Sequence, residues 1–244
     1  MSIAIQGGGL LCNKTIRNLA LSLVAKKHNL HAEYADYDLV NNKLGIKLFR
    51  GTKKYNRTIN IKSNSYINTL NKNSINYNLN FSHDYFQSQE IIDVIYKHLR
   101  SDEQKSSIKK KNPFNDRYNN NNDLFIHIRL GDIVKNKFSL HSDYYLNGIK
   151  NISFDKLYIA SDTLGHLLIK KIKMNYPDAV LVDKNPVQTI QFGSTCKNIL
   201  LSHGSFSAII GYLGFYSTIY FPNCECKWAP LSLFLNKGWN EVKY

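Results

Sequence analysis

Leu124-Phe125-Ile126-His127-Ile128-Arg129-Leu130-Gly131-Asp132 is the stretch on which the fold turns. Leu124–Ile128 is a short, largely apolar run, which predicts a buried strand, and Gly131 lets the chain turn sharply just beyond it. The pattern repeats downstream. Asp143–Ile149 begins a helix, Leu157–Ala160 is a strand, and Thr163–Asn175 is a helix. Val180–Val182 is a strand and Pro186–Ser194 a short helix. Ile199–Leu201, Ser205–Phe215 and Thr218–Phe221 follow as strand, helix and strand. Strands alternating with helices imply right-handed βαβ units and a parallel sheet. Ligands of such sheets bind beyond the carboxyl ends of the strands.

The first half reads less regularly. Ile3-Ala4-Ile5 predicts a short strand, Gly7-Gly8-Gly9 a turn, and Ile16, Leu19, Ala20, Leu23 and Val24 a helix. Residues 31–50 read as short strands, with Asp36 and Asp38 near a turn. Residues 52–82 are polar and Asn-rich and read as weak strands or long loops. Glu90–Leu99 is an amphipathic helix, and residues 101–122 read as a linker.

The chain has 244 residues, 43% of them hydrophobic, which excludes wholesale disorder and suits one large domain or two small ones. No run of 18 apolar residues spans a membrane, and the start of the chain does not read as a secretory signal. The net charge is +14, concentrated in residues 1–122, where 19 Lys and Arg face 9 Asp and Glu. Such a charge attracts anions. Its densest run, Lys105–Lys111, leads into Asn112-Pro113 and Asn119–Asn122, a solvated linker without the interleaved aromatics of a nucleic-acid surface. No nucleic-acid partner is expected. Cys224-Glu225-Cys226 is too closely spaced for a usual zinc pair, and Cys12 and Cys196 supply no second pair, so reduced thiols and no metal are expected.

Three strand ends carry chemistry. Arg129 emerges after the first, where its guanidinium either forks onto phosphate oxygens or pairs with Asp132 to close a turn. Ser161-Asp162 follows the second, as a helix N-cap or as partners for a ribose or base edge. Ser202-His203-Gly204-Ser205-Phe206-Ser207 follows the third. Its hydroxyls and glycine at the entry to an apolar helix suit a phosphate more readily than simple capping explains. There is no Gly-Lys-Ser/Thr phosphate loop and no G-x-G-x-x-G fingerprint. Two phosphate-suited features on one sheet point to a diphosphate, as in a nucleotide-activated substrate.

The chain resembles the α-1,2-fucosyltransferases, within the wider group that includes the α-1,6- and protein O-fucosyltransferases. His127-Ile128-Arg129-Leu130-Gly131-Asp132 matches the His-x-Arg-x-Gly-Asp motif of that family. Gly8-Gly9-Leu10 with Asn13 and Ala20 is similar to its N-terminal Gly-Gly-x-Gly-Asn-Gln segment. Tyr85-Phe86-Gln87-Ser88 is similar to its Tyr-x-Gln-Ser segment, and Gly204-Ser205-Phe206-Ser207 to its Asn-Ser-Thr-Phe-Ser motif. His203 stands in place of the Asn, and no Trp-Trp follows.

The resemblance implies an α/β fold of the GT-B-like type, with two Rossmann-like halves. Residues 1–112 form the acceptor-side domain, ending in the Asn/Lys-rich linker. Residues 113–244 form the donor domain, a parallel sheet flanked by helices. It implies GDP-fucose as donor, an oligosaccharide or glycoconjugate acceptor, inversion at the anomeric carbon, and no metal or other cofactor. Arg129 would hold the diphosphate. His127, Gly8, Asn13, Ser161, Asp162, Gly204, Ser205, Phe206 and Ser207 complete the expected donor site. Asp132 is the first candidate base, with His141 and Asp143 as alternatives. Tyr144, Tyr145, Tyr212 and Phe215 are candidates for a sugar platform, with the helical spacing of the last two favouring core packing. A cytoplasmic enzyme of bacterial or viral type is expected. The competing readings are a transferase using another sugar nucleotide, an inactive binding module, and a nucleic-acid binder.

Overall fold

The computed structural model describes residues 1–5, 9–135, 139–224 and 229–243, with Asp132 and Lys135 described by backbone alone. The chain divides into two compact units, Met1–Lys111 and Asn112–Tyr244. Each is by itself an α/β unit built on a parallel sheet flanked by helices.

The first unit holds strands β1 (Ser2–Ala4), β2 (Ala32–Tyr34), β3 (Thr58–Asn60) and β4 (Asn78–Asn80), all parallel, in the order β2-β1-β4-β3. Helix α1 (Leu11–His28) buries Ile16, Leu19, Ala20, Leu21, Val24 and Ala25. It ends at Asn29, whose left-handed backbone (φ 53°) lets its N–H reach back to the carbonyl of Ala25. Helices α2 (Ser63–Asn71) and α3 (Gln89–Leu99) pack with it. Tyr66, Phe81 and Phe86 are fully buried, their ring centroids 4.6–6.0 Å apart.

One expectation holds in part and another fails here: residues 52–82 do supply the weak strands β3 and β4. Within residues 52–82 a full helix, α2, forms on an Asn- and Ser-rich sequence. It is held by buried Tyr66, whose hydroxyl bonds the Ala20 carbonyl, and by Asp84, which accepts from the Ser63 N–H and hydroxyl. The expected linker is also helical: α4 (Asp102–Lys111) buries Gln104 and Ile108, one turn apart. Its acidic first turn and its Lys109–Lys111 last turn complement the helix dipole, so the lysine run belongs to a helix end. Within residues 31–50 only β2 is a strand, and Asp38–Lys43 form a π-helical turn.

The second unit holds β5 (Leu124–Ile128), β6 (Leu157–Ser161), β7 (Val180–Leu181), β8 (Asn198–Leu200), β9 (Thr218–Pro222) and β10 (Asn240–Val242). All pair in parallel, in the order β10-β9-β8-β5-β6-β7. Helices α5 (Gly131–Lys135), α6 (Ser142–Lys150), α7 (Leu167–Asn175), α8 (Pro186–Gly193) and α9 (Ser205–Leu213) accompany them. The period of two along β5 sorts its side chains between the faces. Leu124, Ile126 and Ile128 join Tyr144, Tyr145, Ile149, Ile169 and Ile172 in one core. Phe125, on the opposite face, meets Phe192 of α8, and His127 meets α9.

Among the described residues no helix is long and apolar enough to cross a membrane. Cys12, Cys196 and Cys224 are free thiols, and Glu225 and Cys226 lie outside the described residues.

Candidate functional site

In the second unit the chain runs outward from β5 through β6 to β7, then returns to the other side of β5 for β8, β9 and β10. The direction of winding therefore reverses between β5 and β8. At such a switch point the loops leaving the two strands diverge to opposite faces and open a crevice at their carboxyl ends. Here those loops are Arg129–Leu130, after β5, and Leu201–Gly204, after β8.

His127, the penultimate residue of β5, ties the two sides together. Its Nδ1 lies 2.6 Å from the Ser207 hydroxyl on α9, and the Phe206 ring packs against the imidazole at 4.9 Å. Burial pushes its pKa down to about 3; the nearby Asp162 opposes that shift, while Arg129 and His203 reinforce it. The imidazole is therefore uncharged at neutral pH and contributes hydrogen bonds rather than charge. Arg129 is half-buried and follows directly on β5, so the cation belongs to this strand end.

Asp162 has a defined task. Its Oδ1 accepts from the backbone N–H of Leu130 (2.8 Å) and of Gly131 (3.1 Å), fixing the turn that carries Arg129. A Cβ at Gly131 would lie 2.6 Å from Asp162 Oδ2, so only glycine lets this carboxylate close on the turn. Ser161 accepts from the N–H of Thr163 and lies 3.4 Å from Asp162. Asp162 thus shapes the loop after β5 and Ser161 the turn after β6, and α7 begins later, capped by His166.

Gly204 is the N-cap of α9, with φ 90°, a backbone that L side chains rarely adopt. Having no side chain, it places no oxygen over the first N–H groups of the helix. The helical ladder starts with Ala208 bonding the Gly204 carbonyl, so the N–H groups of Ser205, Phe206 and Ser207 precede it. Of the expected Ser205–Ser207 set, Ser207 is buried with its hydroxyl on His127, while Ser205 is half-buried.

The turn after β8 is braced from α6. The Tyr144 hydroxyl donates to the Leu201 carbonyl (2.6 Å). The Tyr145 hydroxyl donates to Ser202 Oγ (3.1 Å), which lies 3.5 Å from His203 Nδ1. Both tyrosines are fully buried, which corrects the expectation of a sugar platform: they are struts. The sequence shows the pair but not this duty, because a tyrosine strut and a tyrosine platform look alike without burial. His141 and Asp143 sit exposed at the start of α6 and pair with each other at 3.1 Å. Asp132 lies in α5, its side chain outside the described atoms. Gly8 lies outside the described residues. Among those described, no three His, Cys, Asp or Glu side chains converge to hold a metal ion.

Asn13 belongs to the first unit. Its Oδ1 accepts from Gln87 Nε2 at 2.9 Å, joining the first turn of α1 to the chain entering α3. Gly9 (φ 100°) makes room for it, since a Cβ there would meet the Asn13 side chain at 2.7 Å. One helical turn on, Arg17 is 1% exposed and its Nε donates to the Asp84 carbonyl. The sequence reading missed Arg17; its signal is an arginine on the apolar side of α1.

No family profile matches the chain, and no curated protein does. Among solved structures it is similar to a NodZ α-1,6-fucosyltransferase soaked with GDP-fucose, with 12% sequence identity and a TM-score of 0.36. That match covers 56% of this chain and 51% of the other, about half the length of that enzyme.

Proposed function

We propose that the crevice between the carboxyl ends of β5 and β8 binds the diphosphate of GDP-fucose, and that the chain transfers L-fucose with inversion and without a metal to a sugar hydroxyl. The observation that carries the diphosphate is geometric. The winding reversal brings the Arg129 turn beside the uncapped start of α9, and the His127–Ser207 hydrogen bond links them. One side supplies a full cation and the other oriented N–H donors with the positive end of a helix dipole. GDP-fucose as donor, and an α-1,2 linkage to a galactose-type acceptor, rest on the order of motifs from Gly8 to Ser207.

In that reading Arg129 and the N–H groups of Ser205 and Phe206 take up charge as the glycosidic bond breaks through an oxocarbenium-like transition state and GDP leaves. Neutral His127 holds Ser207, and so the start of α9, in register with the Arg129 turn. Asp162 fixes that turn through Leu130 and Gly131. The acceptor hydroxyl gives its proton to a carboxylate or imidazole. Asp132 is the first candidate, and the exposed His141–Asp143 pair the second.

The test is donor consumption in excess EDTA with lactose as acceptor. GDP-fucose is expected to be converted to GDP and fucosyl-lactose, with UDP-galactose and GDP-mannose left intact. Consumption of another sugar nucleotide instead moves the donor assignment. GDP binding without consumption of any donor identifies an inactive module.

A further inference from the structure

The first unit carries a second rim of functional character, at the carboxyl ends of the neighbouring strands β1 and β4. The chain leaving β4 runs along the start of α1, with Asp84 and Tyr85 beside Arg17 and Gln87 beside Asn13. Asp84 locks this segment. Its carboxylate accepts from the Ser63 N–H (2.8 Å), the Ser63 hydroxyl (2.9 Å), the Tyr85 N–H (2.6 Å) and the Phe86 N–H (3.2 Å). Burial pushes the Asp84 pKa up, but the bonds from Ser63, Phe86 and Tyr85 outweigh it and hold the carboxyl below its ordinary value.

Phe86 adopts a left-handed backbone (φ 55°), which for a bulky residue is strained. It sends the Phe86 ring into the core, stacked on Phe81 at 4.6 Å, and leaves its neighbour Tyr85 47% exposed. Strain of this kind persists only where the surroundings over-determine it, and it gathers at ligand-holding positions. An aromatic residue is thus presented on a fixed backbone, with Gln87 on the same segment bonded to Asn13 of α1 and the Arg17 guanidinium 5.9 Å from the Tyr85 ring.

The charge of the rim narrows the ligand class. Lys14 is paired with Asp36 at 2.9 Å. Arg17 is buried and bonded to the Asp84 carbonyl. The two cations that α1 brings to the rim are thus engaged within the protein, which favours an uncharged ligand over a phosphate. An exposed aromatic flanked by amides is the chemistry that recognises a sugar ring, apolar C–H face against the ring and hydroxyls against the amides.

We infer that Tyr85, with Asn13 and Gln87 beside it, forms a platform for an uncharged sugar of the acceptor, which rests on the transferase reading above. The test uses the full chain with GDP present. Binding is read on a printed array of neutral galactose-terminated glycans beside sialylated and phosphorylated ones, and GDP affinity is read separately by calorimetry. Neutral glycans are expected to bind. Tyr85→Ala is expected to weaken them at least about tenfold, Tyr85→Phe to keep them, and both to leave GDP affinity unchanged. Neutral-glycan binding that survives Tyr85→Ala, a preference for the anionic glycans, or no glycan binding at all overturns the platform. Failure of GDP binding with Tyr85-dependent glycan binding intact overturns the donor reading and leaves the platform standing.

Discussion

Arg129→Ala is expected to lower turnover of GDP-fucose by about 10²–10³-fold, the loss found when one preorganised donor to a developing negative charge is removed. Arg129 is the cation placed by β5 at the switch-point crevice, on a turn whose N–H groups are held by Asp162. In the proposed transfer its contribution is greatest when the leaving diphosphate carries most charge, so the fall is expected in kcat as well as in donor affinity. Arg129→Lys restores charge but not the two-pronged geometry and is expected to recover only part of the rate. The half-buried side chain lies outside the main core. The thermal midpoint should therefore shift by no more than about 2–4 °C, the equivalent of about 1 kcal/mol in a domain of this size. Turnover within about threefold of the parent protein would remove Arg129 from the site.

The second large effect is on stability in mild acid. His127 is buried and neutral in the fold, with a pKa near 3 against an ordinary 6.5. Between those values the unfolded chain binds a proton that the folded chain refuses. Stability is therefore full above about pH 6.5 and falls as the pH drops towards 3, with a slope approaching about 1.4 kcal/mol per pH unit. His28 and His98, whose pKa values burial also lowers, act in the same direction. Asp84, held below its ordinary value, adds a loss at still lower pH, when its carboxylate is protonated. Urea unfolding is expected to show the second unit less stable by roughly 2 kcal/mol at pH 5 than at pH 7, and His127→Gln to flatten that dependence. An imidazole resonance of His127 that titrates near pH 6.5 in the folded protein would contradict the assignment.

The architecture of the second unit is legible in the sequence because its strands are short apolar runs separated by helices of the right length. β5, β6, β8 and β9 and helices α6, α8 and α9 fall where periodicity puts them, while α7 starts at Leu167 rather than Thr163. The first unit is harder to read, and the reasons are local. Helix α2 is built from SNSYINTLN, whose composition favours turns. Only the burial of Tyr66 and the tie to Asp84 make it a helix. Helix α4 carries a lysine run that reads as solvent-exposed linker, and its two buried residues, Gln104 and Ile108, are too few to announce a face. β10 pairs with β9 over Asn240–Val242, a polar segment whose strand character comes from its neighbour.

The site divides in the same way. Arg129 at the end of a strand, Gly131 after it and Gly204 before an apolar helix are visible as local patterns. What Asp162 does is invisible locally, because the N–H groups it accepts lie 32 and 31 residues earlier. Ser207 likewise reads as a free hydroxyl until β5 brings His127 to it across 80 residues. Tyr85 stands out in the sequence only as part of the Tyr85–Ser88 motif; its exposure beside the left-handed Phe86 is visible only in the fold.

Calorimetry of GDP binding to the full chain in EDTA, against UDP, ADP and GMP at moderate salt, addresses the central claim most directly. Tight, selective GDP binding is expected, weaker for GMP if the crevice takes a diphosphate as proposed, and lost in Arg129→Ala. Equal affinity for GDP and GMP, or GDP binding untouched by Arg129→Ala, would contradict a diphosphate site between β5 and β8.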